Sequence, residues 1–366
     1  MNLREFRECI EFNIENGIRH AVLGLGAPGV GKSQIIKQIG DKYGYKVIDL
    51  RLAQMSEVEI GGLIYPNEDR TKTRWLSPEV LPDEERDGPK TILLLDEITS
   101  CPKRVQVAAY QLILDRRVGQ YKLPEGTFVI GLGNREDDDG VYIRLAGPLA
   151  DRFEILYIDV DFKVWKNDYA IPYGIHSYVL NYLNFKPTAL HTQSANEDSM
   201  IFATPRSWER VSDILKKNSD LTNPVVINKI AGNIGEAEAT QFAAFIGDEA
   251  SLVTVDDYLA KKVAAPEDAD KVAVLTNAMV DRVSYVRNTI DAENLTPDER
   301  REIESVIDGI FRLSVAENVI VGVRDLLELN RKVIQQIFLE MDNPEIEQFL
   351  ADNTYLLGLD RCVVIK

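Results

Sequence analysis

An octapeptide near the start of the chain constrains its fold more than any other feature. Gly26-Ala27-Pro28-Gly29-Val30-Gly31-Lys32-Ser33 fits the pattern G-x-x-x-x-G-K-[ST]. The preceding residues 20–25 predict a buried strand, and residues 34–42 predict an amphipathic helix. Such a turn cradles phosphate, because its N–H groups point at phosphate oxygens and the helix N-terminus adds a positive dipole end. The sequence therefore predicts an α/β core with a phosphate site.

The chemistry of this loop assigns roles to two of its side chains. Lys32 is expected to reach the β- and γ-phosphates of a nucleotide, and the Ser33 hydroxyl to ligate Mg²⁺. The predicted nucleotide-binding residues are Gly26, Ala27, Pro28, Gly29, Val30, Gly31, Lys32, Ser33 and Gln34.

A second motif supplies acidic groups. The apolar run 91–95 is typical of a strand buried on both faces of a parallel sheet, and Asp96-Glu97 follow it. Ligands bind at the carboxyl ends of such strands. We expect Asp96 to hold Mg²⁺ through water and Glu97 to orient and deprotonate the attacking water. Alone, the pair could equally be a solvated loop; together with the phosphate loop it favours a nucleotide hydrolase.

Two further polar residues stand where such a site needs them. Asn134 ends the predicted strand 127–133 and could position the attacking water, although asparagine is also a common turn residue. Thr204 and Pro205 predict a helix start, which places Arg206 in the first turn. A cation there interacts unfavourably with the helix dipole, and a nearby anion would offset this cost. A γ-phosphate would be that anion.

With these motifs the chain resembles the AAA+ ATPases, specifically the MoxR-like branch. GAPGVGKS corresponds to Walker A, LLLDEIT to Walker B, GLGNRED to sensor 1 and ATPRSWERV to sensor 2. The resemblance covers about residues 1–245 and implies a five-stranded parallel sheet flanked by helices, a helical lid, and a homohexamer with ATP at subunit interfaces. The acidic loop 136–139 departs from the family pattern.

The resemblance also implies an arginine finger. The stretch 147–153 is similar to the family element that precedes the fifth core strand, so Arg152 inherits that role. Arg144 is the rival candidate and Arg135 a weaker one. The alternative interpretation of Arg152 is an ordinary surface ion pair with Asp151 or Glu154.

Length and pattern predict three segments. Residues 1–162 form the nucleotide-binding core with insertions at about 56–82 and 117–126, residues 163–246 form the lid, and 247–366 form a helical region of unknown role. The resemblance implies that these insertions face the ring pore and contact the substrate. For Tyr65, Trp75 and Tyr121, which lie in them, the alternative to substrate contact is ordinary packing on their own domain.

Composition narrows the function. Three scattered cysteines, Cys9, Cys101 and Cys362, predict free thiols in a reducing compartment, and we expect a cytoplasmic protein without membrane insertion. The net charge of −17 opposes nonspecific binding to nucleic acid. We predict a MoxR-like ATPase that hydrolyses Mg-ATP and remodels a protein client, in some relatives beside a von Willebrand factor A domain partner. The alternatives are a nucleic-acid motor and a nucleotide-dependent scaffold.

Overall fold

The computed structural model describes residues 1–138, 142–145, 147–192, 201–249, 255–313, 315–341 and 343–357. The chain divides into two compact units. Unit 1 comprises Met1–Trp165 and His191–Glu209, and unit 2 comprises Lys166–Leu190 and Arg210–Lys366.

The described strands all lie in unit 1. They are β1 (Ala21–Gly26), β2 (Lys46–Arg51), β3 (Leu63–Pro66), β4 (Thr73–Leu76), β5 (Thr91–Asp96), β6 (Arg117–Val118), β7 (Tyr121–Lys122), β8 (Thr127–Gly133) and β9 (Phe153–Ile158).

The described α-helices run through both units. They are α1 (Leu3–Glu15), α2 (Lys32–Tyr43), α3 (Glu57–Gly61), α4 (Glu84–Asp87), α5 (Lys103–Leu114), α6 (Gly147–Ala150), α7 (Phe162–Trp165), α8 (Ser177–Phe185), α9 (Pro205–Lys217), α10 (Pro224–Ile234), α11 (Glu236–Glu249), α12 (Val255–Leu259), α13 (Ala269–Arg282), α14 (Pro297–Phe311), α15 (Ala316–Leu329), α16 (Arg331–Glu340) and α17 (Pro344–Asp352).

Five parallel strands form the central sheet in the order β2-β5-β8-β1-β9. Alternate side chains of each strand enter two separate cores. On one face Leu93 and Leu95 of β5 pack with residues of α5, and on the other face Ile92 and Leu94 pack with residues of α1 and α2. The predicted α/β fold with a five-stranded parallel sheet flanked by helices is therefore confirmed. The predicted strands 20–25, 91–95 and 127–133 correspond to β1, β5 and β8 of this sheet.

Both insertions contain hairpins. The pair β3–β4 is antiparallel and lies within the predicted insertion 56–82, and the antiparallel pair β6–β7 lies within the predicted insertion 117–126. Neither hairpin joins the central sheet. The sheet is thus continuous from β2 to β9, and both insertions are additions to it.

The described part of unit 2 is helical, and α13–α17 contribute to an apolar core. The sequence pattern predicts a single helix over 324–341, and this prediction is wrong. Asn330 is extended (φ −160°) and separates α15 from α16. Its side-chain oxygen accepts from the Val333 N–H at 3.2 Å, and its amide donates to the carbonyls of Val286 (3.1 Å) and Thr289 (2.7 Å). Apolar periodicity continued across this break and concealed it.

A nearly buried ion pair ties the predicted lid to the C-terminal helices. Lys166 lies 2.7 Å from Asp281 of α13, and Asn184 of α8 donates to the same carboxylate at 3.4 Å. Residues on both sides of the predicted boundary at 246 thus share unit 2. The boundaries at 162 and 246 themselves stay predictions.

In the part of the chain that the structure describes, no helix is both long enough and apolar enough to cross a membrane. Cys9 and Cys101 are free thiols, as expected, and Cys362 lies outside the described residues.

Candidate nucleotide-binding site

Three neighbouring strands bring the predicted site residues to one edge of the sheet. The order β5-β8-β1 places the carboxyl end of β8 between those of the other two strands. The phosphate loop leaves β1, Asp96 ends β5, and Asn134 follows β8. Since the strands are parallel, these ends meet at one edge. Motifs far apart in sequence therefore share one place in the fold.

Glycine is required at several points of the phosphate loop. Gly29 and Gly31 have φ of +77° and +99°, in the region that other residues rarely adopt. A Cβ on Gly26 would lie 2.6 Å from the carbonyl oxygen of Ile158. Gly31 caps the start of α2, so the loop runs directly into a helix N-terminus. This is the backbone geometry that an anion needs.

Lys32 is the buried cation of the site. Its side chain is 8% exposed, and its ammonium donates to the carbonyls of Gly26 and Ala27 (2.7 Å) and, at 3.5 Å, to Oδ1 of Asn134. Burial lowers the pKa of Lys32 to about 8, with Arg135 and Arg206 acting in the same direction, whereas Asp138 and Asp96 oppose the shift. The site thus holds a costly cation that a phosphate would stabilise.

Asp138 belongs to the acidic loop in which the sequence departs from the family pattern. Its carboxylate raises the pKa of Lys32 more than that of Asp96 does. Asp139 of the same loop lies outside the described residues.

Ser33 and Asp96 form the predicted metal-binding pair. The Ser33 hydroxyl donates to Oδ2 of Asp96 at 2.7 Å. One carboxylate and one hydroxyl suit Mg²⁺, which keeps several waters and takes other ligands from phosphate oxygens. The described residues contain no group of three or more His, Cys, Asp or Glu arranged to hold a metal. The Ser33 hydroxyl and Asp96 carboxylate are donors that fit Mg²⁺ bound together with phosphate oxygens.

Glu97 is exposed at the same edge and has an unusual backbone. Its φ is +59°, and its N–H donates to Oδ1 of Asp96 at 2.9 Å. A left-handed conformation at a residue other than glycine costs of order 1 kcal/mol and concentrates at functional sites. The turn presents the Glu97 carboxylate to solvent while Asp96 stays with Ser33.

Asn134 is held by a residue that sequence reasoning missed. The Oγ1 of the fully buried Thr99 accepts from the Asn134 N–H at 2.8 Å and donates to the Asn134 carbonyl at 3.2 Å. Thr99 comes two residues after Glu97 in the LLLDEIT motif. The sequence shows a threonine here, but it does not show that the hydroxyl bonds to a residue beyond the end of another strand.

Arg206 lies in the first turn of α9, next to the phosphate loop. The Thr204 hydroxyl accepts from the Ser207 N–H at 3.1 Å, as predicted for a helix start. A Cβ on Gly29 would lie 3.1 Å from Thr204 and 3.6 Å from Cβ of Arg206. Arg206 is exposed, and its charge helps to lower the pKa of Lys32. The structure thus places both cations beside the phosphate loop.

Arg152 stands apart from these residues. It immediately precedes β9 and therefore lies at the amino edge of the sheet, where it lines a cavity of about 520 Å³ with Arg19 and Arg116. Its guanidinium donates to the Tyr110 hydroxyl at 3.2 Å and lies 5.8 Å from the centre of that ring. The phosphate loop occupies the opposite edge. Arg152 consequently does not join the other predicted site residues within one chain.

The two rival finger residues differ in their surroundings. Arg135 donates to the Ile158 carbonyl and to Asp159 (2.7 Å), so it is engaged within its own unit. Arg144 is exposed, and the neighbouring Ile143 N–H donates to the Thr99 carbonyl at 2.6 Å. Arg144 and Arg135 both stay candidates, and Arg135 is the one already held by contacts within its own unit.

Aromatic residues of the insertions differ in role. The Trp75 indole donates to the Gly61 carbonyl at 2.6 Å, and a Cβ on Gly119 would lie 2.9 Å from its ring. Trp75 thus packs one hairpin on the other, as the alternative interpretation had it. The Tyr121 hydroxyl donates to the Pro82 carbonyl, whereas Tyr65 is 37% exposed. Of the three, Tyr65 is the one available to an external partner.

Comparison with known structures gives distant matches. A Cytophaga hutchinsonii protein described as a candidate ATPase has 13% identity and a TM-score of 0.31, with 88% of each chain covered. The Thermotoga maritima RuvB Holliday junction branch migration motor has 16% identity and a TM-score of 0.29, with 92% of this chain and 86% of that chain covered. A mutant of the same RuvB has 16% identity and a TM-score of 0.29, with 90% and 84% covered. TM-scores this low do not support an argument about function. No curated protein matches the chain.

A family model gives the informative match. Residues 21–153 match the family described as AAA domain (dynein-related subfamily). This segment runs from the start of β1 to the start of β9, so it contains the phosphate loop, Asp96, Glu97 and Asn134. The strand order and the residues at the carboxyl edge agree with this match, which covers residues 21–153 and not the rest of the chain.

Proposed function

We propose that this chain is a MoxR-like AAA+ ATPase that forms a homohexameric ring and couples Mg-ATP hydrolysis to remodelling of a protein client. The observation that carries the catalytic part is the convergence of Lys32, Ser33, Asp96 and Asn134, with hydrogen bonds of 2.7 Å and 3.5 Å linking them in pairs. Each member of this set has a role in phosphoryl transfer to water.

The side chains divide the reaction among them. Lys32 and the N–H groups at the start of α2 bind the phosphates, and Asn134 orients the attacking water beside Lys32. The exposed Glu97 carboxylate accepts the proton of that water. When bound through Ser33 and Asp96, Mg²⁺ supplies charge stabilisation to the phosphate oxygens. Arg206 adds positive charge beside the loop.

The position of Arg152 supports a ring. Strand β9 has six residues and is therefore about 20 Å long, which separates Arg152 at its amino end from the edge that carries the phosphate loop. An arginine there cannot serve the site of its own chain. A neighbouring copy that places this edge against the nucleotide would let Arg152 stabilise charge on the γ-phosphate. The finger assignment itself rests on the family resemblance, and this geometry agrees with it.

The charge of the chain supports a protein client. A net charge of −17 disfavours a nucleic-acid backbone as the ligand, because binding there depends on neutralising phosphates. A protein client, handled in the cytoplasm with or without a von Willebrand factor A domain partner, fits this charge. The hairpin β3–β4 exposes Leu63, Ile64 and Tyr65, which suits contact with polypeptide.

Replacement of Glu97 by glutamine tests the proposal. The variant should bind ATP with wild-type affinity and hydrolyse it about a hundredfold more slowly, because the amide keeps the shape but cannot accept the proton. Glu85→Gln, an exposed carboxylate of α4, is the matched control and should keep full activity. Wild-type turnover by Glu97→Gln would contradict the catalytic assignment.

The same variant identifies what the ring acts on. Purified from its host with ATP, Glu97→Gln should retain a protein client. Retained nucleic acid would instead support a nucleic-acid motor. An intact protein that binds ATP but does not hydrolyse it above background would make the chain a scaffold.

A further inference from the structure

We propose that Thr99 is a positioning residue for hydrolysis, which fixes Asn134 relative to Glu97. The inference rests on the proposed function and adds a residue to its machinery. Asn134 and Glu97 follow different strands, β8 and β5, yet both must address one water. Their relative position is therefore set by whatever joins the two loops beyond the strand ends.

Thr99 makes that junction with its side chain. Its Oγ1 accepts from the Asn134 N–H at 2.8 Å and donates to the Asn134 carbonyl at 3.2 Å. One residue earlier, the Ile98 N–H donates to the Leu132 carbonyl at 3.0 Å. The hydroxyl thus continues the contact between the two loops after the backbone ladder has ended. Asn134 is held at both of its backbone polar groups.

The surroundings of Thr99 hold its side chain in one rotamer. Thr99 is fully buried, and its own carbonyl accepts from the Ile143 N–H at 2.6 Å. A Cβ on Gly133 would lie 2.5 Å from Oγ1 and 2.7 Å from Cγ2 of Thr99. Gly133 therefore provides the space that the threonine side chain occupies. Burial, two hydrogen bonds and this close approach together fix the rotamer.

We expect loss of the Thr99 hydroxyl to affect catalysis and not the affinity for ATP. Lys32 contacts the Asn134 side chain at 3.5 Å, but its main hydrogen bonds go to the phosphate-loop carbonyls. Loss of the Thr99 hydroxyl should therefore leave ATP binding intact and shift Asn134 relative to Glu97. A displacement of about 1 Å at such a site lowers turnover by up to about a hundredfold.

Thr99→Val tests this assignment, because valine keeps the shape and removes the hydroxyl. We expect kcat to fall at least about tenfold with the Kd for ATP within twofold of wild type. Thr99→Ser keeps the hydroxyl and should retain kcat within about threefold. Thr91→Val is the matched control: Thr91 is also fully buried on β5, but its hydroxyl bonds to Thr127 (2.7 Å) at the other end of the strand. It should keep wild-type kcat.

Three results would overturn the inference. They are wild-type kcat in Thr99→Val, an equal loss of kcat in Thr91→Val, and a loss in Thr99→Ser as large as that in Thr99→Val. If Thr99→Val does not fold, Thr99→Cys carries the same test, since a thiol accepts and donates hydrogen bonds weakly. Its kcat should be reduced at unchanged ATP affinity, and a wild-type value would again overturn the inference.

The fate of Glu97→Gln separates this inference from the proposed function. An inactive Glu97→Gln beside a fully active Thr99→Val removes only the role of Thr99. A fully active Glu97→Gln removes the proposed reaction itself.

Discussion

Replacing Lys32 with methionine should abolish ATP binding without destabilising the nucleotide-free protein at neutral pH. Lys32 is 8% exposed, and burial lowers the pKa of its ammonium from 10.5 to about 8. Because this pKa is lower in the folded than in the unfolded chain, the charged form costs stability in full below pH 8, and the cost fades toward pH 10.5. A residue kept for function can carry such a cost.

The size of the pKa shift of Lys32 sets the size of this stability cost. At about 1.4 kcal/mol per pKa unit, holding the ammonium charged costs about 3 kcal/mol at pH 7 and about 1.4 kcal/mol at pH 9.5. Methionine removes this cost but deprives the Gly26 and Ala27 carbonyls of their donor, at about 1 kcal/mol each. Lys32→Met should therefore be about 1 kcal/mol more stable than wild type at pH 7, and this advantage should vanish by pH 9.5.

Urea unfolding at the two pH values, without nucleotide, measures the difference. Lys37→Met is the control on the same helix: Lys37 is 52% exposed and pairs with Asp49 at 3.1 Å, so its loss should change stability by less than about 0.5 kcal/mol. Equilibrium titration with ATP is the second readout. A Lys32→Met protein that is more than about 2 kcal/mol less stable at pH 7, or that still binds ATP, would refute the reasoning.

Three further variants test other parts of the structure. Arg117 and Lys122 oppose each other across β6–β7, and their joint replacement by glutamine should reduce client processing while basal ATP hydrolysis stays within about twofold; a steep salt dependence of DNA affinity in the wild type would favour the nucleic-acid motor. Lys166→Met leaves the Asp281 carboxylate without its ion-pair partner and should lower the free energy of unfolding in urea by about 3 kcal/mol or more. Adding Asp281→Leu should restore most of this loss. Arg206→Ala should bind ATP but hydrolyse it at least about tenfold more slowly in a steady-state assay; unchanged turnover would remove Arg206 from the site.

Local sequence signals predicted the core because each has a local physical cause. The apolar run 127–133 became β8 with the same ends, since a central parallel strand is buried on both faces. The glycines of the phosphate loop predicted positive φ at Gly29 and Gly31 through backbone sterics alone. Strand and loop together placed Lys32 and Ser33.

What the sequence could not predict depends on partners distant in the chain. Asn330 breaks a continuous apolar pattern because its side chain bonds to carbonyls more than 40 residues away. Thr99 finds its partner 35 residues later, and Lys166 finds Asp281 on a helix of another predicted segment. Such pairings follow from tertiary structure and leave no periodic trace.

In the proposed ring a second copy of the chain completes each site, and mixing two inactive variants tests this most directly. Arg152→Ala lacks the finger and Lys32→Ala lacks the phosphate contact, so each should hydrolyse ATP very slowly on its own. Loss of the finger should lower the rate about 10³-fold relative to wild type. In mixed rings, an intact phosphate loop on one subunit meets an intact finger on the next, and ATP hydrolysis should reappear. A mixture that stays inactive despite demonstrated subunit exchange would contradict the shared site. Recovery with Arg144→Ala, and not with Arg152→Ala, would assign the finger to Arg144.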